Sequence, residues 1–465
     1  MTTNVWITGR RTDLSRLIAI VLVLVSFSLS QNPQDASLAT QVSAYIQPYV
    51  SSNNFSGVVL IARGGKIIVN QAYGAANREL SVQNTSATRF HIASVSKSFT
   101  AAAILLLEQR GKLSVKDPLS KYIPDCPIGD KITIHHLLTH TSGIANANNL
   151  PQYNEKSKSQ MSLNDIIAMF KNRPLEFEPG TKFRYSNSNY NLLAYIIEKI
   201  SGQNYGDFLR ENIFIPLDMR DTADDTGTDE LIMQRASGYV PIGLQDVKNA
   251  PDLNWSIKKG NGSVYSTVGD LYKWDRALYT DKILTRDSRD RIFTDYGGFG
   301  YGWFVRKQAA RPAVVINGRS PGYTSSLQRF VNDNVCIILV ANTYSGITQA
   351  MADDLASLVF GEKVKTLQAV PKLDRVELDR YVGTYQFGPD FSYNPNVTVR
   401  IRRDGNDLAM SIGDDDAFLL PQPGDKFLDR LYGGVVQFAL DSQGRVTSLS
   451  WSFGQPFIAK RIEAQ

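Results

Sequence analysis

Residues 94–110 place the strongest constraint on how this chain folds, because they are apolar on nearly every face after the first turn. Helices at a protein surface keep one polar face, so a helix without one lies inside a core. Gly111 follows directly and suits the left-handed residue that ends many helices. The sequence therefore predicts a central buried helix around which the other elements are arranged.

Helical stretches and short apolar strands alternate over residues 36–360, which predicts one large domain. Apart from the central helix, the predicted elements are a β-hairpin of residues 57–62 and 66–72 around Arg63-Gly64-Gly65, strands at residues 313–316 and 335–340 joined through residues 325–334, and a helix at residues 350–360. At 465 residues the chain exceeds what one core usually organises, so a second folded unit is expected.

The composition changes at residue 361, where a polar stretch containing Pro371 predicts a linker over residues 361–374. Residues 375–465 then contain short alternating strands separated by turn residues, which indicates a small all-β module of barrel or sandwich type. The expected fold class is thus α/β (α+β): an antiparallel sheet flanked by helices and an all-helical region, followed by a small all-β C-terminal barrel.

The first thirty residues have the features of an export signal. Arg10, Arg11 and Arg16 precede an apolar run at residues 17–29, and small residues stand near its end. We therefore expect an exported protein, periplasmic or extracellular. An uncleaved membrane anchor is the alternative, but the run is shorter than the roughly 20 apolar residues that span a bilayer.

The charge of the chain gives no indication of a nucleic-acid partner. The formal net charge is +5, and the first thirty residues carry two of these charges. No block of like charges appears in the rest of the chain. Such a weak field does not indicate nucleic acid or a membrane surface as the partner.

Ser94-Val95-Ser96-Lys97 opens the central helix with the spacing that a serine nucleophile needs when a lysine manages its proton. Residues three apart share a helix face, so Lys97 can approach the Ser94 hydroxyl. The helix N-terminus also favours an oxyanion and disfavours the lysine charge. Ser256 and Lys259 have the same spacing in a polar stretch, so the buried helix is what distinguishes Ser94. We predict that Ser94 is the nucleophile and Lys97 its partner.

Tyr185-Ser186-Asn187 is a second candidate element. A lysine ammonium favours a neighbouring phenolate, so Tyr185 is a candidate base for the Ser94 proton. Asn187 is a candidate to hold Lys97 or a substrate amide by hydrogen bonds. Taken alone, this tripeptide is more typical of a loop with a packed tyrosine.

The end of a predicted strand, Ile316-Asn317-Gly318, is the candidate for the opposite wall of the site. Gly318 allows a substrate backbone to approach closely, and the Arg319 amide is predicted to join the Ser94 amide as an oxyanion hole. Asn317 is assigned to the same substrate-binding wall. Position 316 is apolar instead of cationic, and Arg319 is the candidate to restore a positive charge nearby.

Residues 318–322 also match the Gly-x-Ser-x-Gly nucleophile elbow of other hydrolases. Pro321 has no N–H, although the residue after that nucleophile donates one to the oxyanion. All four histidines precede residue 141, whereas the elbow fold places its histidine after the serine. A strand and not a helix is expected to follow, so the elbow is disfavoured.

Neither a metal nor an organic cofactor is expected. His136 and His140 are four residues apart, but no third ligand is evident beside them, and we interpret them as structural. Cys126 and Cys336 are the only cysteines. They either form one bridge or are buried thiols.

Together these residues resemble the serine β-lactamase superfamily, especially the branch of class C β-lactamases, D-alanyl carboxypeptidases, D-aminopeptidases and related esterases. Further segments typical of that branch are residues 90–119, LLTHTSGI at 137–144, EPGTKFRYSNSNYN at 178–191, GSVYSTVGD at 262–270, Tyr301-Gly302-Trp303 and Pro321-Gly322-Tyr323. The resemblance implies a β-lactamase-like sheet, Ser94 as the acylated nucleophile with Lys97, Tyr185 as general base, and Asn187 in positioning. It also implies that His140 is part of the scaffold and that the tail is a lipocalin-like barrel.

The predicted function is a serine hydrolase that forms an acyl-enzyme on an ester or a peptide amide. In the family, a lysine or histidine at the position of Ile316 helps to bind an anionic substrate or to polarise the site, so weak or no β-lactam turnover is expected. The alternative is a penicillin-binding or sensor protein that keeps the fold without turnover. The expected partner is a small-molecule or peptide substrate, and the oligomeric state and the role of the tail stay open.

Overall fold

The computed structural model describes residues 1–2, 33–228, 230–367, 375–389, 391, 397–413, 415–453 and 456–462. Nearly all of the predicted export signal, and the predicted linker from residue 368 onward, lie outside the described residues. The helices, numbered in chain order, are α1 (Pro33–Ser51), α2 (Ser96–Gln109), α3 (Ile134–Leu138), α4 (Tyr153–Lys156), α5 (Leu163–Ala168), α6 (Asn187–Ser201), α7 (Tyr205–Leu209), α8 (Val268–Ala277), α9 (Arg286–Ile292), α10 (Ile347–Val359) and α11 (Arg375–Asp379). Within this described part of the chain, no helix has the length and apolar character needed to cross a membrane.

The strands fall into one large sheet, three small sheets and a barrel. In chain order they are β1 (Gly57–Arg63), β2 (Lys66–Tyr73), β3 (Ala75–Asn77), β4 (Val82–Gln83), β5 (Phe90–His91), β6 (Ala223–Asp224), β7 (Tyr239–Ile242), β8 (Asp246–Asn249), β9 (Val264–Ser266), β10 (Phe304–Gln308), β11 (Arg311–Ser320), β12 (Tyr323–Phe330), β13 (Val335–Ala341), β14 (Gly383–Phe387), β15 (Thr398–Asp404), β16 (Asp407–Ile412), β17 (Asp415–Gln422), β18 (Lys426–Asp429), β19 (Val435–Leu440), β20 (Val446–Ser452) and β21 (Pro456–Ile462).

The large sheet is antiparallel, with the strand order β10-β11-β12-β13-β1-β2. Its β1 strand has no polar face: Val58 and Leu60 enter one core, and Val59 and Ile61 enter another. Because side chains alternate across a strand, such a run needs cover on both sides. Helices α1 and α10 pack on one face, and α2 and α8 pack on the other. The hairpin turn between β1 and β2 lies where the sequence predicts it. Residues 325–334, expected to join two strands, instead belong mostly to strand β12.

The central helix is as buried as the sequence predicts. Helix α2 follows a short 3-10 helix at Ala93–Val95, and its residues from Ser96 to Leu107 are all buried. Gly111 has a φ of 67°, the left-handed conformation that ends a helix. The helix packs against helices α6 and α7 within the core on one face of the sheet.

The C-terminal strands β14–β21 close into an antiparallel barrel. Strand β19 shows the period-two pattern that a barrel requires, because Val436 and Phe438 enter the barrel core while Val435 and Gln437 are exposed. Of the two architectures that the sequence allowed, the barrel is the observed one. The predicted fold class is confirmed.

Candidate active site

Ser94 lies in the 3-10 helix between β5 and α2, where it keeps partial access to solvent while Ala93 and Val95 are buried. Ala93 has a φ of 46°, a left-handed conformation that is uncommon for a residue with a Cβ. Backbone strain of this kind concentrates at functional sites. The first amides of a helix have no intrahelical acceptor, and the Ser94 N–H belongs to the first turn of this one.

Lys97 is fully buried beside Ser94. Its Nζ lies 3.0 Å from Ser94 Oγ. Two carbonyl oxygens complete its surroundings, Asn187 Oδ1 at 2.9 Å and the main-chain oxygen of Asn261 at 2.7 Å. Burial, and then the positive charge of Lys258, lower the Lys97 pKa well below its ordinary value. In the neutral amine, the two N–H groups are donated to the carbonyl oxygens, which only accept, and the lone pair faces the Ser94 hydroxyl.

The Tyr185 hydroxyl lies 2.9 Å from Ser94 Oγ. Burial raises the Tyr185 pKa above its ordinary value, and the hydrogen bond with Ser94 lowers it only in part. Lys97 Nζ lies 5.0 Å from the centroid of the ring, but the neutral form of the amine, which burial favours, adds no positive charge there. The phenol is therefore protonated near neutral pH, which differs from the phenolate that a charged lysine would favour. Its position suits a proton relay between Ser94 and a leaving group.

Asn187 opens helix α6, and its side-chain oxygen accepts from Lys97 as the sequence analysis proposed for this residue. Its main-chain N–H donates to Asn146 Oδ1 at 3.1 Å, which fixes the start of the helix. The amide thereby orients the amine. Asn261, the other oxygen partner of Lys97, was missed in the sequence because a main-chain carbonyl leaves no side-chain signature.

The His140 ring packs against the ring of Tyr185. The two rings lie 4.3 Å apart between centroids at an angle of 34°, and His140 Nδ1 accepts the Ser186 main-chain N–H at 3.2 Å. Burial holds the His140 pKa well below its ordinary value, so the ring is neutral with its proton on Nε2. His140 therefore positions the phenol, and the LLTHTSGI segment was the available signal for it.

The histidine spacing does not form a metal site. Helix α3 ends at Leu138, and His140 lies beyond it with a φ of 58°, so His136 and His140 do not share a helix face. Among the described residues, no group of three or more histidine, cysteine or acidic side chains is placed to hold a metal ion.

Strand β11 forms the opposite wall and contacts the nucleophile through Gly318. A Cβ at this position would lie 2.3 Å from the Ile92 main-chain oxygen and 2.7 Å from the Ser94 amide nitrogen. Only a hydrogen fits in that space. The backbone of β11 at Gly318 therefore lies close to the Ser94 amide.

The residues around Gly318 on this wall differ in their exposure and contacts. Ile316 is 2% exposed and packs into the core, whereas Asn317 is exposed beside it. The Arg319 guanidinium carbon lies 4.2 Å from the ring centroid of Tyr344 and 4.9 Å from that of Tyr432. The Arg319 side chain is thus held between two aromatic rings, and position 316 offers no cation to a substrate.

We expect Gly318→Ala to lower kcat/KM for an ester by about 10²-fold, because the added methyl group pushes β11 away from Ser94 and displaces one oxyanion donor. Steady-state kinetics with p-nitrophenyl butyrate measure this. Gly269→Ala is the matched control, since its nearest neighbour, Thr267 Oγ1, lies 3.8 Å away. Full activity of Gly318→Ala would exclude close packing at this point as a requirement.

The second Ser-x-x-Lys match is structural. Ser256 Oγ donates to Asn254 Oδ1 at 2.6 Å, and Lys259 Nζ lies 3.5 Å from Glu198 Oε1. Both side chains have other partners, so the pair does not form a nucleophile and its base.

The nucleophile elbow is absent at Ser320. This residue ends β11 and pairs with Tyr323, so Pro321 and Gly322 form a tight turn into β12. A strand follows the serine where the elbow requires a helix.

The two cysteines are separate. Cys126 and Cys336 are both buried and unbridged, so the buried-thiol alternative is the observed one. Burial raises both pKa values, most strongly for Cys336, which makes these thiols poor nucleophiles.

Comparison with known proteins finds two matching families along the chain. Residues 42–361 match the family described as Beta-lactamase, and residues 367–465 match a Domain of unknown function (DUF3471). The chain is 31% identical to Penicillin-binding protein 4* of Bacillus subtilis (strain 168) over 366 residues, which cover 72% of this chain and 80% of that protein.

Solved structures show the same fold. The octameric penicillin-binding protein homologue from Pyrococcus abyssi has a TM-score of 0.63 at 23% identity, covering 90% of this chain and 99% of that one. The D-amino acid amidase from Ochrobactrum anthropi SV3, complexed with L-phenylalanine amide, has a TM-score of 0.62 at 24% identity, covering 70% of this chain and 99% of that one. At these identities the likeness concerns the fold alone.

Proposed function

The chain belongs to the Beta-lactamase family, and from this premise we propose that it is a serine hydrolase whose Ser94 forms an acyl-enzyme with an ester or a peptide amide. The observation that carries the proposal is the convergence of the Lys97 amine and the Tyr185 phenol on one hydroxyl, at 3.0 Å and 2.9 Å from Ser94 Oγ. A serine hydroxyl needs such partners because it is a weak nucleophile at its own pKa.

Acylation starts when Ser94 Oγ attacks the carbonyl carbon of the substrate and its proton passes to Lys97 Nζ. The carbonyl π bond opens to an oxyanion, which the main-chain amides of Ser94 and Arg319 stabilise. The bond to the leaving group then breaks, and the proton held by Lys97 reaches the leaving oxygen or nitrogen through the Tyr185 hydroxyl. The acyl group stays on Ser94, and the amine returns to its neutral form.

Deacylation repeats these steps with water. A water molecule attacks the acyl carbon and gives its proton to the Lys97 amine, with the Tyr185 hydroxyl as a relay, and the same amides stabilise the second oxyanion. When the intermediate collapses, Ser94 leaves as the alcohol and a carboxylic acid is released. The lowered Lys97 pKa supports both steps, since it favours the neutral amine, which can accept a proton.

The substrate class follows from the wall of the site. Ile316 is buried and apolar, and the Arg319 guanidinium is held between Tyr344 and Tyr432. A substrate carboxylate would lose its hydration here without gaining a cation. We therefore propose substrates that are neutral next to the scissile bond, and we expect little β-lactam turnover because penicillins carry a carboxylate close to the reacting ring.

Mass spectrometry after separate exposure to a fluorophosphonate and to benzylpenicillin tests the proposal. We expect the phosphonyl group on Ser94, a slow or absent penicillin adduct, and continuous hydrolysis of p-nitrophenyl butyrate. A label on another serine would overturn the mechanism. A burst of one product per chain without a steady rate would favour the non-turnover binding or sensor protein. The absence of a cation at position 316 is also consistent with that alternative.

We also propose that the protein is exported, on the strength of the basic and apolar pattern in its first thirty residues. Expression of the full chain with N-terminal sequencing of the secreted product tests this. An intact N-terminus that stays with the membrane fraction would favour the anchor instead.

A further inference from the structure

Residues 429–434, called here the barrel turn, run from the end of β18 to the start of β19. They connect the barrel to the larger domain, whose large sheet is called here the catalytic sheet. Arg430 of this turn is fully buried. Its Nε donates to Asn54 Oδ1 at 2.8 Å, and its Nη1 donates to the Ile242 main-chain oxygen at 2.8 Å. Because a buried guanidinium without partners is very costly, these bonds anchor the barrel turn to the larger domain.

The barrel turn also packs on the connection between β13 and α10. Ser345 Oγ donates to the Arg430 main-chain oxygen at 2.5 Å, and the Gly346 N–H donates to the Leu431 oxygen at 2.8 Å. A Cβ on Gly346 would lie 1.8 Å from the Tyr432 main-chain oxygen, so this contact admits only glycine. The backbone of Tyr432 is therefore fixed relative to the catalytic sheet.

Tyr432 directs its ring to Arg319, the residue after Gly318. Its hydroxyl donates to Asp415 Oδ2 at 2.6 Å, which sets the orientation of the ring. The guanidinium carbon lies 4.9 Å from this ring and 4.2 Å from that of Tyr344 on the catalytic domain. Arg319 Nε and Nη2 are buried and have no hydrogen-bond partner among the described residues. Stacking on two aromatic rings and the electrostatic interaction with the buried Asp429 carboxyl hold this side chain.

We propose that Tyr432 of the barrel is a positioning residue of the active site, which holds the end of β11, and with it the Arg319 amide, beside Ser94. The inference rests on the proposed function, because that function assigns the oxyanion role to this amide. Arg319 precedes the last residue of β11 and the turn to β12. An oxyanion donor loses most of its effect when it is displaced by about 1 Å, so a clamp on its own side chain bears directly on the rate. The barrel then completes the site that the larger domain builds.

A double-mutant cycle in the full chain tests this inference. We expect Tyr432→Ala and Arg319→Ala each to lower kcat for p-nitrophenyl butyrate about tenfold with little change in KM, and the double variant to be no slower than either. Tyr432→Phe keeps the stacking ring and is expected to restore most of kcat. Ile458→Ala is the control, because it removes an exposed barrel side chain on β21, away from the barrel turn.

The outcomes separate the inference from the proposed function. If wild type turns over through Ser94 but Tyr432→Ala is as fast, or if the two single effects multiply in the double variant, the positioning role is wrong and the hydrolase stands. If wild type itself has no Ser94-dependent turnover, both fail together. Should Tyr432→Ala not fold, Tyr432→Leu takes its place in the cycle, since it keeps much of the bulk and removes the π face together with the hydroxyl. Equal rates for Tyr432→Leu and wild type would also overturn the inference.

Discussion

Ser94→Ala is expected to lower kcat for p-nitrophenyl butyrate by about 10⁴-fold or more, which would be the largest effect of any single substitution in this chain. The variant keeps the oxyanion donors and the substrate wall, but it has no atom that can carry the acyl group. Steady-state kinetics measure the loss, and intact-mass spectrometry is expected to show no phosphonyl adduct after exposure to a fluorophosphonate. Folding is expected to be unaffected, because Ser94 is only half-buried and its hydroxyl serves the site instead of the core.

Ser256→Ala is the matched control, since Ser256 has the same spacing to a lysine but bonds to Asn254. Its hydroxyl also accepts the Met161 N–H at 2.9 Å, so we expect a cost of about 1 kcal/mol in stability and no change in the chemical step. If Ser256→Ala removed the activity or the label, or if Ser94→Ala retained more than a trace of either, the nucleophile would be wrongly assigned.

The central helix and the strands that are buried on both faces could be predicted because their signals lie in contiguous residues. A helix with no polar face and a strand with no polar alternation each belong inside a core, whatever surrounds them. The Ser94 and Lys97 pair is likewise local, since three residues of helix fix its geometry. The match to the Beta-lactamase family confirms the resemblance that these motifs suggested.

Features that depend on contacts between distant segments could not be predicted from local sequence patterns. The protonation of Lys97 follows from complete burial, which the sequence of one helix turn does not contain. The contact between Tyr432 and Arg319 joins two folded units whose relative placement no local pattern encodes. Arg319 is an example. In the sequence, an arginine near an active site suggests an anion-binding residue, whereas in the structure its stacked side chain suggests a residue that positions β11.

Lys97→Met is expected to lower kcat/KM for p-nitrophenyl butyrate by about 10³-fold, within the range that a positioned general base contributes. Methionine fills a similar volume without an amine, so the Ser94 proton loses its acceptor. In wild type, kcat/KM is expected to rise with pH until the buried amine is fully neutral, at a pH well below the ordinary pKa of lysine. The variant is expected to lose this acid limb. A pH–rate profile of both proteins measures the difference.

Stability distinguishes a missing base from a damaged core. The Lys97 pKa is lowered in the folded state, so between its folded and unfolded values the unfolded chain binds a proton that the folded chain does not. Wild type therefore loses stability as the pH falls from the unfolded pKa toward the folded one, and Lys97→Met is expected to be at least as stable at neutral pH. Lys259→Met, which removes the lysine paired with Glu198, is the control and is expected to keep its activity and the acid limb. An active Lys97→Met with an unchanged pH profile would show that another group accepts the proton, and the neutral Lys97 amine would then have no part in the chemistry.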